Sequence, residues 1–289
     1  MVAMGGHALA VITVAMAAAA ILSFPHATAA PNYTRDFDVT WGSDNVAILS
    51  NGRGLRIRLD NFTAAGIASK NYYLFGSFSM YMKLIRGDSA GTVTAYYFAS
   101  SDGDDRDEID FEFLGNLTGE PYILQTNMYW NGTGGREQRN YLWFDPTKAY
   151  HNYSVLWNPQ QIIIAVDGVP IRIVKNNEDI GVPYLLRRPM KIYASIWDGS
   201  IWATRGGAIK INWGKSPFDA YLAKYNYDVC GIGKNSCVRK KWWNQPQFQT
   251  LDANEQSQLQ FANTYKVYDY CEDRQRYPVM PIECTRNNL

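Results

Sequence analysis

Short runs in which apolar and polar residues alternate recur from about residue 55 onward. Leu55 to Asp60 alternates cleanly, and Phe78 to Leu84, Thr92 to Phe98 and Asp107 to Phe113 follow. Further runs lie at Tyr122 to Tyr129, Asn140 to Phe144, Tyr153 to Trp157, Met190 to Trp197 and Ala208 to Trp213. Period two is the signature of a strand with one covered face. Ile162 to Val166, then Asp167-Gly168, then Pro170 to Val174 reads as a hairpin, because Asp-Gly favours the tight turn whose twist matches its strands. No helical period is sustained before about residue 250. The pattern therefore predicts an antiparallel β-sandwich or barrel, which can run to this length as one domain. Near the end the period changes. Asp252 with Glu255 three residues on forms a capping box, and Leu259, Ala262 and Tyr265 give a stripe, so a helix is predicted over Asp252 to Tyr268.

One of these strands is chemically unlike the rest. In Asp107-Glu108-Ile109-Asp110-Phe111-Glu112-Phe113, residues two apart share a face. Ile109, Phe111 and Phe113 can enter a core, while Glu108, Asp110 and Glu112 line the other side with no cation among them. A solvated acidic face on an edge strand is the ordinary explanation. Close like charges, however, raise the pKa of at least one member. That suits cleavage of a glycosidic bond, which needs an ionised carboxylate as nucleophile and a protonated carboxyl as general acid. Cα atoms four apart on a strand lie roughly 13 Å from each other. Two Glu side chains leaning inward could approach the ~5–5.5 Å of a retaining pair, with the short Asp110 between them holding one Glu ionised.

The ends of the chain and its totals narrow the class. Residues 1–29 carry no Lys, Arg, Asp or Glu, contain the apolar run Ala8 to Leu22, and end in Ala27-Thr28-Ala29. This reads as a secretory signal peptide; the run is short for a membrane span of ~20 residues. Its removal leaves the formal charge at +1 and reduces the histidines from 3 to His151 alone. Multi-histidine metal sites are thereby disfavoured, and near-neutral charge argues against nucleic acid. The cysteines all lie in the last quarter, at 230, 237, 271 and 284. Their short separations favour Cys230–Cys237 and Cys271–Cys284 disulfides, since no C-x-x-C pair suggests zinc. Sequons begin at Asn32, Asn61, Asn116, Asn131 and Asn152, as expected of a secreted glycoprotein. Aromatics make up 14% of the chain, enough for a few to line a sugar groove besides filling the core.

The segment Asp107 to Asn116 resembles the signature of the plant xyloglucan endotransglucosylase/hydrolases, in glycoside hydrolase family 16. Ser89 to Tyr97, Tyr141 to Thr147, Leu156 to Pro159, Trp202 to Gly207 and Tyr268 to Cys271 carry the likeness over essentially the whole mature chain. The resemblance implies an all-β fold, a curved antiparallel sandwich of jelly-roll type with the glucan in a concave cleft. It implies Glu108 as nucleophile, Glu112 as general acid/base and Asp110 as the residue tuning the nucleophile. Gln125 and Asn127 match polar residues facing the donor side. Glu137 and Arg139 match positions near the acceptor side. Trp197 and Trp202 look like aromatic platforms, Gly206 belongs to the matching loop, and Tyr268 and Arg276 resemble tail residues that lengthen the acceptor side. Two departures stand out. Arg106 replaces a His common before the signature, placing a cation beside Glu108, and an aliphatic Ile67 stands where the family carries an aromatic.

The expected organisation is a signal peptide over 1–29, a catalytic jelly roll over 30–220, and a disulfide-stapled extension with a helix over 221–289. The expected activity is transfer of a cleaved xyloglucan chain to a xyloglucan acceptor, in the cell wall, by a monomer without cofactor or metal. The short segment Asp198 to Ile201 favours transfer. Hydrolysis of xyloglucan or mixed-linkage β-glucan is the alternative within the enzyme class. A non-catalytic glucan-binding module is the alternative outside it, and it has no use for clustered like charges.

Overall fold

The computed structural model describes residues 30–101 and 103–287, so the signal-peptide reading lies outside the described residues. Fifteen strands dominate: β1 Phe37–Trp41, β2 Val46–Leu49, β3 Gly54–Leu59, β4 Ala65–Ser69, β5 Gly76–Lys83, β6 Thr92–Ala99, β7 Glu108–Leu114, β8 Ile123–Tyr129, β9 Gln138–Tyr141, β10 His151–Trp157, β11 Gln161–Val166, β12 Val169–Lys175, β13 Lys191–Asp198, β14 Phe218–Val229 and β15 Lys266–Asp269. Among the described residues four α-helices accompany them: α1 Tyr33–Asp36, α2 Asn235–Lys240, α3 Ala253–Asn263 and α4 Cys284–Asn287.

The strands form two antiparallel sheets packed as a sandwich. The 8-stranded sheet runs β1-β4-β13-β6-β7-β8-β9-β15, and the 7-stranded sheet runs β12-β11-β10-β5-β14-β3-β2. The alternation read in the sequence sets the core. β5 buries Phe78, Met80 and Met82 and leaves the residues between them half-buried. Facing them, Ile109, Phe111 and Phe113 of β7 are fully buried, and the Phe113 ring meets Tyr153 of β10 edge-on at 4.6 Å. A ring of this size stabilises the fold by roughly 1.5–3 kcal/mol. This anchoring fixes the register of β7, and a slip of one residue would turn its acids into the core. The predicted hairpin forms, with Asp167 at φ 50° and Gly168 at φ 81°.

Two expected elements change, and some strands form where none was expected. The predicted helix over Asp252 to Tyr268 stops at Asn263; its capping box forms, but the chain then turns and Lys266–Asp269 pairs with β9. Ala208 to Trp213 is not a strand. Gly206 and Gly207 take positive φ just before it, and the Asn212 side chain caps a short 3-10 turn at Trp213–Lys215. The longest strand, β14, was not among the predicted runs, because bulging between Leu222 and Tyr225 breaks its alternation. β4 escaped for a different reason: it is buried on both faces and shows no alternation. Residue 220, the expected boundary between sandwich and extension, lies within β14.

Both expected disulfides form, Cys230–Cys237 and Cys271–Cys284. They secure the tail, whose strand β15 becomes the last strand of the 8-stranded sheet.

Candidate active site

Strand register places the acids. Read across the 8-stranded sheet, one rung is Trp41, Gly66, Ser195, Ala95, Glu112, Gln125, Arg139 and Tyr268. The next is Ala68, Tyr193, Tyr97, Asp110 and Asn127, and the one after is Lys191, Ala99, Glu108 and Tyr129. Glu108, Asp110 and Glu112 therefore share the outer face, as their spacing predicted. They line a groove of about 390 Å³ with Trp41, Tyr97 and Trp197. A hollow of about 480 Å³ lies elsewhere, beside α3. Its Asp269 is held by Gln138 and Lys266, whereas the groove gathers the three acids on one face.

The three carboxyls are differentiated by their neighbours. Glu108 is 8% exposed and accepts a hydrogen bond from Nε of Arg106. Arg106 itself packs over the Tyr129 ring at 5.8 Å. Asp110 is held well above the usual carboxylate range by burial first, then by the charge and side-chain hydrogen bond of Glu108. In its protonated form Asp110 can donate to Glu108, whose other partner is Arg106. Burial pushes Glu112 up to about 7; the donor bond from Gln125 opposes this, and the charge of Glu108 adds to it. One carboxylate is tied to a cation and one carboxyl keeps its proton near neutrality, which is the division of labour that general-acid cleavage with a nucleophile requires.

The other expected residues fall into three groups. Gln125, Arg139 and Tyr268 continue the Glu112 rung, and Glu137 is gripped by both terminal guanidinium nitrogens of Arg276, at 2.6 and 3.3 Å. Trp197 lines the groove, with Trp202 against it at 6.0 Å. Asn127 shares the Asp110 rung, but its Oδ1 is engaged by the backbone N–H groups of Met128 and Arg136. Gly206 lies exposed in a turn with φ 66°. His151 sits in the other sheet, paired with Asp167 and stacked on Phe144, away from the acids.

Sequence reasoning missed part of the groove. Trp41 covers Gly66, where an added Cβ would come within 2.3 Å of the indole. Tyr97 and Tyr193 lie stacked at 4.8 Å beside Asp110. The period-two spacing of Phe37, Val39 and Trp41 was a usable signal for β1. The pairing that brings Tyr193 beside Tyr97 had none. Ile67 points into the core, so the departure from the family there does not touch the groove. Among the sequons, Asn61 and Asn131 are exposed. Asn32 and Asn116 are half-buried, and Asn152 lies within β10 with its Oδ1 buried.

A sandwich whose outer groove carries Glu-x-Asp-x-Glu on one strand defines a glycoside hydrolase. The family model for glycosyl hydrolases family 16 matches residues 33–215, and that for the xyloglucan endo-transglycosylase C-terminus matches 237–284. Xyloglucan endotransglucosylase/hydrolase protein A of Phaseolus angularis is 48% identical over 281 residues, 96% of each chain. Probable xyloglucan endotransglucosylase/hydrolase protein 5 of Arabidopsis thaliana is 51% identical over 260 residues, 88% of each. Among solved structures, a Bacillus licheniformis β-glucanase is 26% identical with a TM-score of 0.53, over 69% of this chain and 89% of that one. The chain belongs to the xyloglucan endotransglucosylase/hydrolases of glycosyl hydrolase family 16.

Proposed function

We propose that the protein is a retaining xyloglucan endotransglucosylase, secreted to the cell wall as a monomer. Glu108 attacks the anomeric carbon of a β-1,4-linked glucose in the donor. Glu112 gives its proton to the departing oxygen, and the glycosidic bond breaks to leave a glycosyl ester on Glu108. Glu112, now ionised, takes the proton from the 4-hydroxyl of a second chain as that oxygen displaces Glu108. Asp110 donates to Glu108 and steadies it as the leaving carboxylate in this second half.

The single observation that carries this reading is the unequal environment of the two Glu residues on one outer face. Glu108 is bound to Arg106, and Glu112 is raised to about 7. Transfer over hydrolysis is favoured by the floor beyond Glu112. Gln125, Arg139 and Tyr268 continue it onto the tail strand, with the Glu137–Arg276 pair alongside. A long acceptor bound there has a high local concentration at the ester, which is what a competitor of water needs. Trp197, with Trp202 behind it, and Trp41 serve as platforms for sugar rings. Asn61 and Asn131 are the sequons whose exposure best suits a glycan.

Incubating the purified protein with xyloglucan and a fluorescent xyloglucan oligosaccharide tests the reading. Label entering the polymer is expected. New reducing ends without incorporated label would make it a hydrolase, and neither outcome would leave a glucan-binding protein.

A further inference from the structure

Glu112 is joined to the C-terminal tail through three side chains. Gln125 donates from Nε2 to Glu112 Oε2 at 2.6 Å, and Arg139 donates from Nε to Gln125 Oε1 at 2.7 Å. The Arg139 guanidinium packs on the Tyr268 ring at 5.5 Å. Tyr268 is in turn fixed within the tail: its hydroxyl donates to Asp273 Oδ2 at 2.9 Å, and the Arg276 backbone N–H donates to Asp273 Oδ1 at 2.9 Å. The Cys271–Cys284 disulfide closes this segment.

A primary amide has a donor end and an acceptor end, and either could face a carboxyl. A guanidinium only donates. With Arg139 on one side, the oxygen of Gln125 must face the arginine, and its NH2 must face Glu112. We infer that Arg139 and Tyr268 are positioning residues for the general acid/base, through which the C-terminal extension sets the orientation of Gln125. This rests on the reading of Glu112 as acid/base. Oε2 of Glu112 is occupied as an acceptor, so the transferable proton resides on Oε1. The carboxylate that forms when that proton leaves keeps a donor already in place, with no reorganisation during the reaction. An amide turned the other way would put oxygen against oxygen and make Glu112 a poorer acid.

The groups around Glu112 make the direction of the effect definite. Glu108 and Asp110 share its strand, Gln125 faces it from β8, Arg139 comes from β9 and Glu137 from the residue just before β9. The facing β6 positions, Ala95 and Tyr97, bring no charge, and Arg106 lies beyond Glu108. Removing Arg139 takes away the cation on the β9 side and frees the amide to turn. Both changes favour the protonated form of Glu112.

The test is carbon NMR of the purified protein labelled at glutamate Cδ, with the Glu112 signal assigned by its loss in Glu112→Gln. In Arg139→Met the Glu112 titration midpoint should rise by about 1 pH unit. In Tyr268→Ala it should rise by less, and in Tyr268→Phe, which keeps the ring under the guanidinium, it should match the wild type. The basic limb of kcat/KM for transfer should move with the midpoint in each variant. Circular dichroism confirms that each is folded; if Arg139→Met does not fold, Tyr268→Ala decides by itself. A midpoint unmoved in the folded variants overturns the inference. A midpoint that moves while the activity limb stays leaves the coupling standing and removes Glu112 as the acid.

Discussion

Replacing Glu112 by Gln should stabilise the fold at alkaline pH and leave it nearly unchanged at acid pH. Glu112 is raised from 4.5 to about 7 because burial disfavours its charged form. Between those values the folded chain holds a proton that the unfolded chain has released, so stability falls as pH rises through this window. The difference, about 7 minus 4.5, is about 2.5 pH units. At ~1.36 kcal/mol for each unit, the wild type forfeits ~3 kcal/mol by pH 8 and almost nothing at pH 4. Gln is the neutral isostere and can still accept from Gln125. For a domain of this size, ~2–4 °C in Tm accompanies each kcal/mol. Differential scanning calorimetry should therefore place Glu112→Gln ~6–12 °C above the wild type at pH 8 and within ~1 °C at pH 4. A gain of equal size at both pH values, or none at pH 8, would refute the buried-carboxyl argument. On the proposed acid/base role of Glu112, the variant should also lose transfer activity, since Gln carries no transferable proton.

Glu108→Ala should lower kcat by at least ~10³-fold while the protein still binds xyloglucan, checked by glycan-affinity electrophoresis; retention of more activity would exclude Glu108 as nucleophile. Gly66→Ala should push the Trp41 indole off the floor, since the new Cβ falls 2.3 Å from it. KM for the donor should rise with kcat little changed, and an unchanged KM would remove Trp41 as a platform. Cys271→Ser with Cys284→Ser opens a link of sequence separation 13. Loss of such a closure costs about 3 kcal/mol, so limited proteolysis should cut the tail first and transfer should fall before the sandwich unfolds.

The sequence by itself determined the strand chemistry. In β7 the alternation of Ile109, Phe111 and Phe113 with Glu108, Asp110 and Glu112 is a property of adjacent residues, and the pleat turns it into a core face and a reactive face without outside help. The Asp167-Gly168 turn and the Asp252–Glu255 capping box were legible for the same reason: each is decided within a few residues. Tertiary structure decided what depends on distant pairing. Inserting β13 between β4 and β6 set Tyr193 against Tyr97 and Ser195 against Ala95. Adding β15 beside β9, whose open edge N–H and C=O groups can pair with it, drew Lys266 to Asp269 out of the predicted helix and put Tyr268 beside Arg139. The clustered acids predicted a raised carboxyl, but the local sequence does not show how far the rise goes at Glu112, to about 7. It comes from burial within a groove whose walls are assembled from residues as far apart as Trp41 and Trp197, and dehydration of a carboxyl depends on the atoms around it rather than on its neighbours along the chain.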